Sequence, residues 1–243
     1  MKRPFIKKQK RKRHGATFWD QEYASGGEHL ALSSDESEDL AKFVRWQARQ
    51  KDEVVIDRTV DVLDLGCGNG RNLIFLAREL GAQGIGYDIS NAAIAEARKA
   101  GEGLPLTFEA RSIAGEIHLP DSSQDIILDM MTSHFLKANE REFLRDEIHR
   151  LLRPGGWLFM KTFLRDEDLH TARLLKEFPT DEAGTYIHPV IGVAEHAYEE
   201  DELLNFLSQE FIVRKVYRSH KHRIRGQARK RRTVSVHAQK DPY

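Results

Sequence analysis

The sequence predicts an α/β protein, a parallel sheet with helices on both faces that ends in a C-terminal antiparallel hairpin. Three observations carry that expectation. Short apolar, β-rich runs near 60–65, 82–88, 104–109, 125–131 and 157–163 alternate with longer stretches of helical period. The strand-like runs are apolar almost throughout, as strands are when both sheet faces are covered. Two further β-rich runs, 211–218 and 232–238, follow one another across a polar, glycine-containing connector with no helix between them, which is a hairpin pattern.

The 243 residues are enough for one such domain with short appendages. Residues 1–14 carry Lys2, Arg3, Lys7, Lys8, Lys10, Arg11, Lys12 and Arg13 with little to bury, and are expected to be a disordered basic arm. Residues 15–243 then form a single domain. Within it we expect N-terminal helices or a lid over 15–50, a ligand-binding core over 54–165, a substrate-side segment over 166–210 and the hairpin over 211–240.

Taken in order, Phe18, Trp19 and Tyr23 sit near helical spacing before Ser25-Gly26-Gly27, as in a helix that either packs on the core or covers a ligand. Ser34 or Asp35 is expected to cap a helix reaching about Arg49, with Leu40, Phe43, Val44 and Trp46 on its buried side. The first strand runs into Gly66, Gly68 and Gly70, and a helix from Asn69 to Leu80 stops at Gly81. A second strand ends at Asp88, Ser90 caps an alanine-rich helix to Ala100, and a third strand covers Leu104 to Glu109. Pro120-Asp121-Ser122-Ser123 is turn chemistry before the fourth strand. An amphipathic helix from Glu140 to Leu152 ends at Pro154-Gly155-Gly156, which turns into the fifth strand.

The strand, glycine loop and helix at 60–80 are the part of the chain most telling of chemistry. Glycines there let the backbone turn tightly and bring a ligand against main-chain N–H groups at a helix N-terminus. The dinucleotide pattern G-x-G-x-x-G fails, because position 71 is Arg71, and the Gly-Lys-Ser/Thr of a phosphate loop is absent. Asp64, two residues before the first glycine, would repel a pyrophosphate but suits a ligand carrying ammonium and sulfonium groups.

Asp64-Leu65-Gly66-Cys67-Gly68-Asn69-Gly70 resembles the first motif of class I S-adenosylmethionine-dependent methyltransferases, over about residues 54–165. The continuation Gly70-Arg71-Asn72-Leu73 is similar to the tellurite-resistance-type, small-molecule branch. The resemblance implies a Rossmann-like class I methyltransferase sheet, and S-adenosyl-L-methionine as cofactor. It implies cofactor contacts from Asp64, Gly66, Cys67, Gly68 and Gly70 in the loop, and a ribose contact from Asp88 with Ile89 beside it. The family's adenine-reading acid is replaced by Ser112, whose hydroxyl can still accept a hydrogen bond, with Ile113 adding an apolar edge. Asp129 is expected either to face the methionine end of the cofactor or to cap a neighbouring loop.

Methyl transfer from a sulfonium is an in-line displacement that needs positioning more than a dedicated catalytic group. Thr132-Ser133-His134-Phe135 stands where amino-group methyltransferases carry Asn/Asp-Pro-Pro-Tyr/Phe, which argues against methylation of adenine N6 or glutamine. His134 is the candidate catalytic residue, able to orient or deprotonate an acceptor, and a packed histidine is the plain alternative. Tyr23, Asn72, His220 and Arg232 are the candidate substrate residues. Tyr186, His188, His196 and Tyr198 lie in the substrate-side segment without metal-ligand spacing.

The formal net charge of zero conceals segregation. Residues 214–232 hold ten Lys or Arg and no acid, like the arm, so the body between the two blocks is acidic. That cationic hairpin, with Arg218, His220, Lys221, His222, Arg223, Arg225 and residues 229–232, is similar to the histidine- and arginine-bearing hairpin of tellurite-resistance-type enzymes, and the resemblance implies a small oxyanion or other anionic acceptor. RNA methylation through both basic blocks is the alternative, since phosphate neutralisation gains affinity by counterion release. A non-catalytic cofactor-binding or interaction module is a third reading. The single cysteine, Cys67, excludes a disulfide framework, and the absence of a long apolar run predicts a cytoplasmic protein without membrane partners.

Overall fold

The computed structural model describes residues 15–26, 33–49, 59–219 and 231–243, with the backbone alone at 223–224 and 227–228. Its centre is a seven-stranded sheet of order β3-β2-β1-β4-β5-β11-β8. The strands are β1 (Asp61–Leu65), β2 (Gln83–Asp88), β3 (Leu106–Ala110), β4 (Gln124–Met130), β5 (Leu152–Phe163), β8 (Ile212–Arg218) and β11 (Thr233–Gln239). The first five are parallel; β11 lies antiparallel between β5 and β8. The hairpin expected at the C-terminus is therefore inserted back into the sheet, with β8 parallel to β5 at the edge.

Strand alternation sorts the core into two layers. Val62, Ile126, Leu128, Trp157 and Phe159 pack with α2 (Glu38–Gln47), α3 (Arg71–Leu80) and α4 (Asn91–Ala100) through Leu40, Phe43, Leu73, Leu76, Ile94 and Ala97. Leu63, Leu65, Ile127, Leu158, Met160 and Val236 face the opposite way, onto α5 (Ala138–Leu151) and α7 (Glu200–Leu207) through Leu144, Ile148, Leu151, Leu203 and Leu207. The β4–β5 junction follows the same logic at its edge: Arg153 bridges Asp61 and Asp125 at 2.9 and 2.6 Å.

Several boundaries differ from those expected. The second helix starts after Ser37, not after Ser34 or Asp35, because Ser33 Oγ takes the Asp35 N–H in a local turn at 3.1 Å and Asn72 Oδ1 takes the Ser37 N–H at 3.0 Å. The third strand begins at Leu106; Pro105 has no N–H to give a ladder. The fifth strand starts at Leu152, directly after α5, since Gly155 and Gly156 exchange backbone hydrogen bonds with Lys240 instead of forming a free turn.

Between β5 and β8 the substrate-side segment folds as α6 (Leu169–Glu177), the β6–β7 hairpin (Thr185–Ile187 with Ala194–His196) and α7. Between β8 and β11 a two-residue ladder joins β9 (Arg223–Ile224) to β10 (Gln227–Ala228). The arm at 1–14, His220 and Lys230 lie outside the described residues. Among the described residues no helix is long and apolar enough to cross a membrane.

Candidate active site

Parallel strands in an open sheet leave their carboxyl ends, and the loops that follow, on one side, and it is there that ligands of such sheets sit. In this chain the loops after β1, β2, β3 and β4 together bound a cavity of about 290 Å³. Gly66, Cys67, Gly68, Asp88, Ile89, Ser112 and Ile113 line it, joined by Tyr23 and Asn72 from the expected substrate set.

The glycine loop is held by β2. Gly66 and Cys67 both donate to Tyr87 O, at 2.7 and 2.8 Å, and Gly68 donates to Asp88 Oδ2 at 2.9 Å. Asp88 Oδ1 accepts from Ser90 N at 2.9 Å, while the Ser90 hydroxyl caps α4 by accepting from Ala93 N at 3.1 Å. Gly66 and Gly68 have positive φ, 74° and 56°. A Cβ at Gly66 would lie 2.1 Å from Thr132 Cγ2, and one at Gly68 would lie 2.3 Å from Tyr23 Oη. Glycine is thus required twice over, by backbone conformation and by close approach.

The helix at the N-terminus, α1 (Gly15–Ala24), lies across this loop. Trp19 and Tyr23 line the cavity, and Trp19 meets Phe135 edge-on at 5.1 Å between centroids. Asp20 Oδ1 accepts from the Ser90 hydroxyl at 2.8 Å and from Ala92 N at 3.2 Å, so α1 is fastened to the N-terminal end of α4. Burial, with the charge of Asp88 next, raises the Tyr23 phenol above its ordinary pKa and keeps it protonated at neutral pH.

Other expected residues stand behind the wall. Asp64 is fully buried at the end of β1, and neither carboxylate oxygen meets a hydrogen-bond donor. Burial, followed by the charges of Asp88 and Asp129, pushes its pKa up to about 7. Gly70 makes room for Phe108 and Ala97, not for the cavity. Asp129 accepts from Ser133 N at 3.0 Å and so caps the single 3₁₀ turn Ser133–Phe135, the loop-capping alternative.

His134, on that turn, is 1% exposed and packs on Phe135 and Phe163 at 4.1 and 4.9 Å, with both ring nitrogens unpartnered. Burial, with the nearby cations Arg231 and Arg141 adding to it, holds its pKa well below the ordinary histidine value. It is a neutral, packed side chain one layer behind the cavity wall. Arg232 is also buried, its guanidinium donating to Asp166 O and its backbone N–H to Asp168 Oδ2 at 2.8 Å, far from a free substrate clamp. His220 is outside the described residues.

Two of the described cations of the block are paired with carboxylates within the fold. Arg218 pairs with Glu200, and Arg231 pairs with Glu195 while lying 3.1 Å above the Phe163 ring centroid. Glu195 also accepts from the Tyr186 hydroxyl at 2.7 Å. His196 sits between Thr185 Oγ1 at 2.8 Å and Glu202 at 3.1 Å, part of a buried network and not a metal site; no metal-holding cluster occurs among the described residues.

Sequence reasoning missed several wall residues. Met130 ends β4, Met131, Thr132, Phe135 and Leu136 follow it, and Val193 precedes β7. The signal at 130–136 was present, because any residue just past a strand end is a site candidate, but histidine drew attention from its apolar neighbours. Val193 carried no signal. Met131 adopts φ 65°, an uncommon conformation for a non-glycine residue and a mark of a constrained loop.

The cavity suits the cofactor that the glycine motif implies. The Asp88 oxygens keep lone pairs for ribose hydroxyls after accepting one N–H each. Asp64 supplies a buried, donor-free carboxyl whose ionised form a cationic ligand would favour, and the glycines clear the space over the loop.

Comparison with known proteins agrees with that fit. The methyltransferase domain family matches residues 62–156. A protein-lysine N-methyltransferase of Saccharolobus islandicus is 32% identical over 95 residues, covering 39% of this chain and 56% of that protein. The chain spans about half the length, or less, of the curated relatives it matches. A solved S-adenosylmethionine-dependent methyltransferase of Methanosarcina mazei superposes with a TM-score of 0.68 at 23% identity, over 86% of this chain and 100% of that one. The 1,6-didemethyltoxoflavin-N1-methyltransferase of Burkholderia thailandensis, solved with its substrate and S-adenosylhomocysteine, gives 0.64 at 18%, over 93% and 87%. With the glycine loop, the strand order and the domain match in agreement, residues 62–156 match the methyltransferase domain family and the chain has the fold of the class I S-adenosylmethionine-dependent methyltransferases.

Proposed function

We propose that the chain transfers a methyl group from S-adenosylmethionine to a small-molecule acceptor. The observation that carries this reading is the buried, donor-free carboxylate of Asp64 beneath a glycine loop whose ligand face is clamped by Asp88. Such a charge is costly unless a cation lies near it. Bound there, S-adenosylmethionine would supply the methyl: the acceptor's lone pair forms the new bond to carbon, the carbon–sulfur pair returns to sulfur, and the acceptor's proton leaves to solvent.

The chain's own residues position and exclude water. Asp88 would take the ribose hydroxyls, Ser112 and Ile113 the adenine edge, and Gly66 and Gly68 the backbone contacts, with α1 closing over them through Trp19 and Tyr23. No described side chain is set up as a general base, which suits an acceptor that needs only alignment.

The hairpin cations suggest an anionic acceptor and the arm suggests RNA. Those two readings rest on residues 1–14 and 220–230, beyond the described side chains, whereas among the described cations Arg231 and Arg218 are paired with Glu195 and Glu200 and Arg232 is held by the Asp166 carbonyl.

Calorimetry tests the proposal. S-adenosylmethionine and S-adenosylhomocysteine should bind and NAD should not, and Asp88→Ala should weaken binding by about 1–3 kcal/mol through lost charge-assisted hydrogen bonds. Tight NAD binding with no response to either sulfur compound would overturn it.

A further inference from the structure

We infer that the acceptor is an uncharged, flat aromatic or heteroaromatic small molecule that lies against Trp19 and Phe135. This rests on the transferase reading above and names its substrate class.

Sheet order fixes the direction of the site. Ser112 and Ile113 follow β3, Asp88 ends β2 and Gly66 follows β1, so a nucleoside sulfonium laid across β3, β2 and β1 in that order turns its methyl toward β4. The acceptor chamber is therefore the part of the cavity walled by Trp19, Met130, Met131, Phe135, Leu136 and Val193. Every one of those side chains is apolar or aromatic, and Thr132, between Met131 and Phe135, adds a hydroxyl. Trp19 and Phe135, held edge-on at 5.1 Å, offer one ring face and one ring edge, the arrangement aromatic partners prefer. The thioethers of Met130 and Met131 are deformable and make favourable contacts with rings.

Charge argues the same way. The cavity's own cations, Arg71 and Arg111, stand at the cofactor half: Arg71 donates to Asp35 O at 2.9 Å, and Arg111 lies over the Tyr87 ring. Two buried carboxylates, Asp64 near the end of β1 and Asp129 near the end of β4, stand on the strands that lead into the site. An anionic acceptor would be desolvated among apolar side chains, and the described cations behind that wall, Arg141 beneath Leu136 and Arg231 over Phe163, are already paired with Glu182 and Glu195. Burying an unpaired charge in such a place is strongly unfavourable. A neutral ring carrying a hydroxyl or ring nitrogen meets neither penalty, and the Thr132 hydroxyl, which has only long contacts of 3.5 and 3.4 Å to Gly66 O and Met130 O, is free to turn toward it.

The experiment uses a matched pair of probes, 2-naphthol and 2-naphthoate, titrated at pH 7 into the full chain saturated with S-adenosylhomocysteine, with binding read by calorimetry. 2-Naphthol should bind at least tenfold more tightly than 2-naphthoate. Phe135→Ala should weaken 2-naphthol at least fivefold while leaving S-adenosylhomocysteine within threefold. Equal or tighter binding of 2-naphthoate, or no binding of 2-naphthol to the cofactor-loaded protein, would overturn the inference and leave the transferase reading standing. Failure of S-adenosylhomocysteine itself to bind would instead overturn the transferase reading.

Discussion

Asp64→Asn offers a sharp test of how the site is charged. The Asp64 carboxyl is fully buried without a donor, and its pKa rises from 3.8 to about 7 because burial disfavours the ionised form and Asp88 and Asp129 add like charge. Below the unfolded value both states are protonated and the group has no effect. Between pH 4 and 7 the unfolded chain is ionised while the folded one holds its proton, so this group's contribution to stability falls as pH rises. Above the folded value the loss is complete. A shift of about three units at 1.36 kcal/mol each puts it at about 4 kcal/mol.

Asp88 and Asp129 are shifted upward too, whereas Glu147, Glu182, Glu200 and Glu202 are shifted down and act in the opposite sense at lower pH. The informative quantity is therefore the difference between wild type and Asp64→Asn. Urea unfolding of cofactor-free protein from pH 4 to pH 8 should show the variant gaining on the wild type by up to about 4 kcal/mol across that range. Saturating S-adenosylmethionine should narrow the gap at pH 8, since its positive charge offsets the ionised carboxylate. A difference that stays constant with pH would refute the argument that Asp64 is an uncompensated acid.

Three other outcomes follow from the same geometry. Gly68→Ala would place a Cβ 2.3 Å from Tyr23 Oη at φ 56°, so cofactor affinity measured by calorimetry should fall at least tenfold; adding Tyr23→Ala should recover part of it, and no recovery would mean that backbone conformation alone sets the requirement. Asp20→Ala removes both acceptor contacts to the start of α4 and should weaken S-adenosylhomocysteine by about 1–2 kcal/mol while speeding proteolysis within α1; unchanged values in both assays would detach α1 from the site. His134→Ala should cost about 1–3 kcal/mol in denaturant stability yet change turnover less than about threefold with the same pH profile, whereas a loss of about 10²-fold at intact cofactor affinity would make His134 a general base.

Local chemistry made much of this protein readable in one dimension. The apolar runs and their helical spacers determined the parallel sheet, because burial on both faces leaves no room for polar alternation. Gly66, Gly68 and Asp88 were legible because a tight loop, a close approach and a strand-end carboxylate each demand particular residue types at short separations. Other features depend on residues brought together from far apart along the chain. The capping of α2 was decided by Asn72, 35 positions away, and the start of β5 by Lys240. His134 was marked out by its chemistry, yet packing against Phe163 sets it behind the wall. The hairpin cations look like a site in sequence, and only the fold carries Glu195 and Glu200 to Arg231 and Arg218. The acceptor chamber is the clearest case: Trp19, Phe135 and Val193 carry no shared pattern, and their common surface exists only because α1, the turn after β4 and the β6–β7 hairpin meet above the carboxyl ends of β1 and β4.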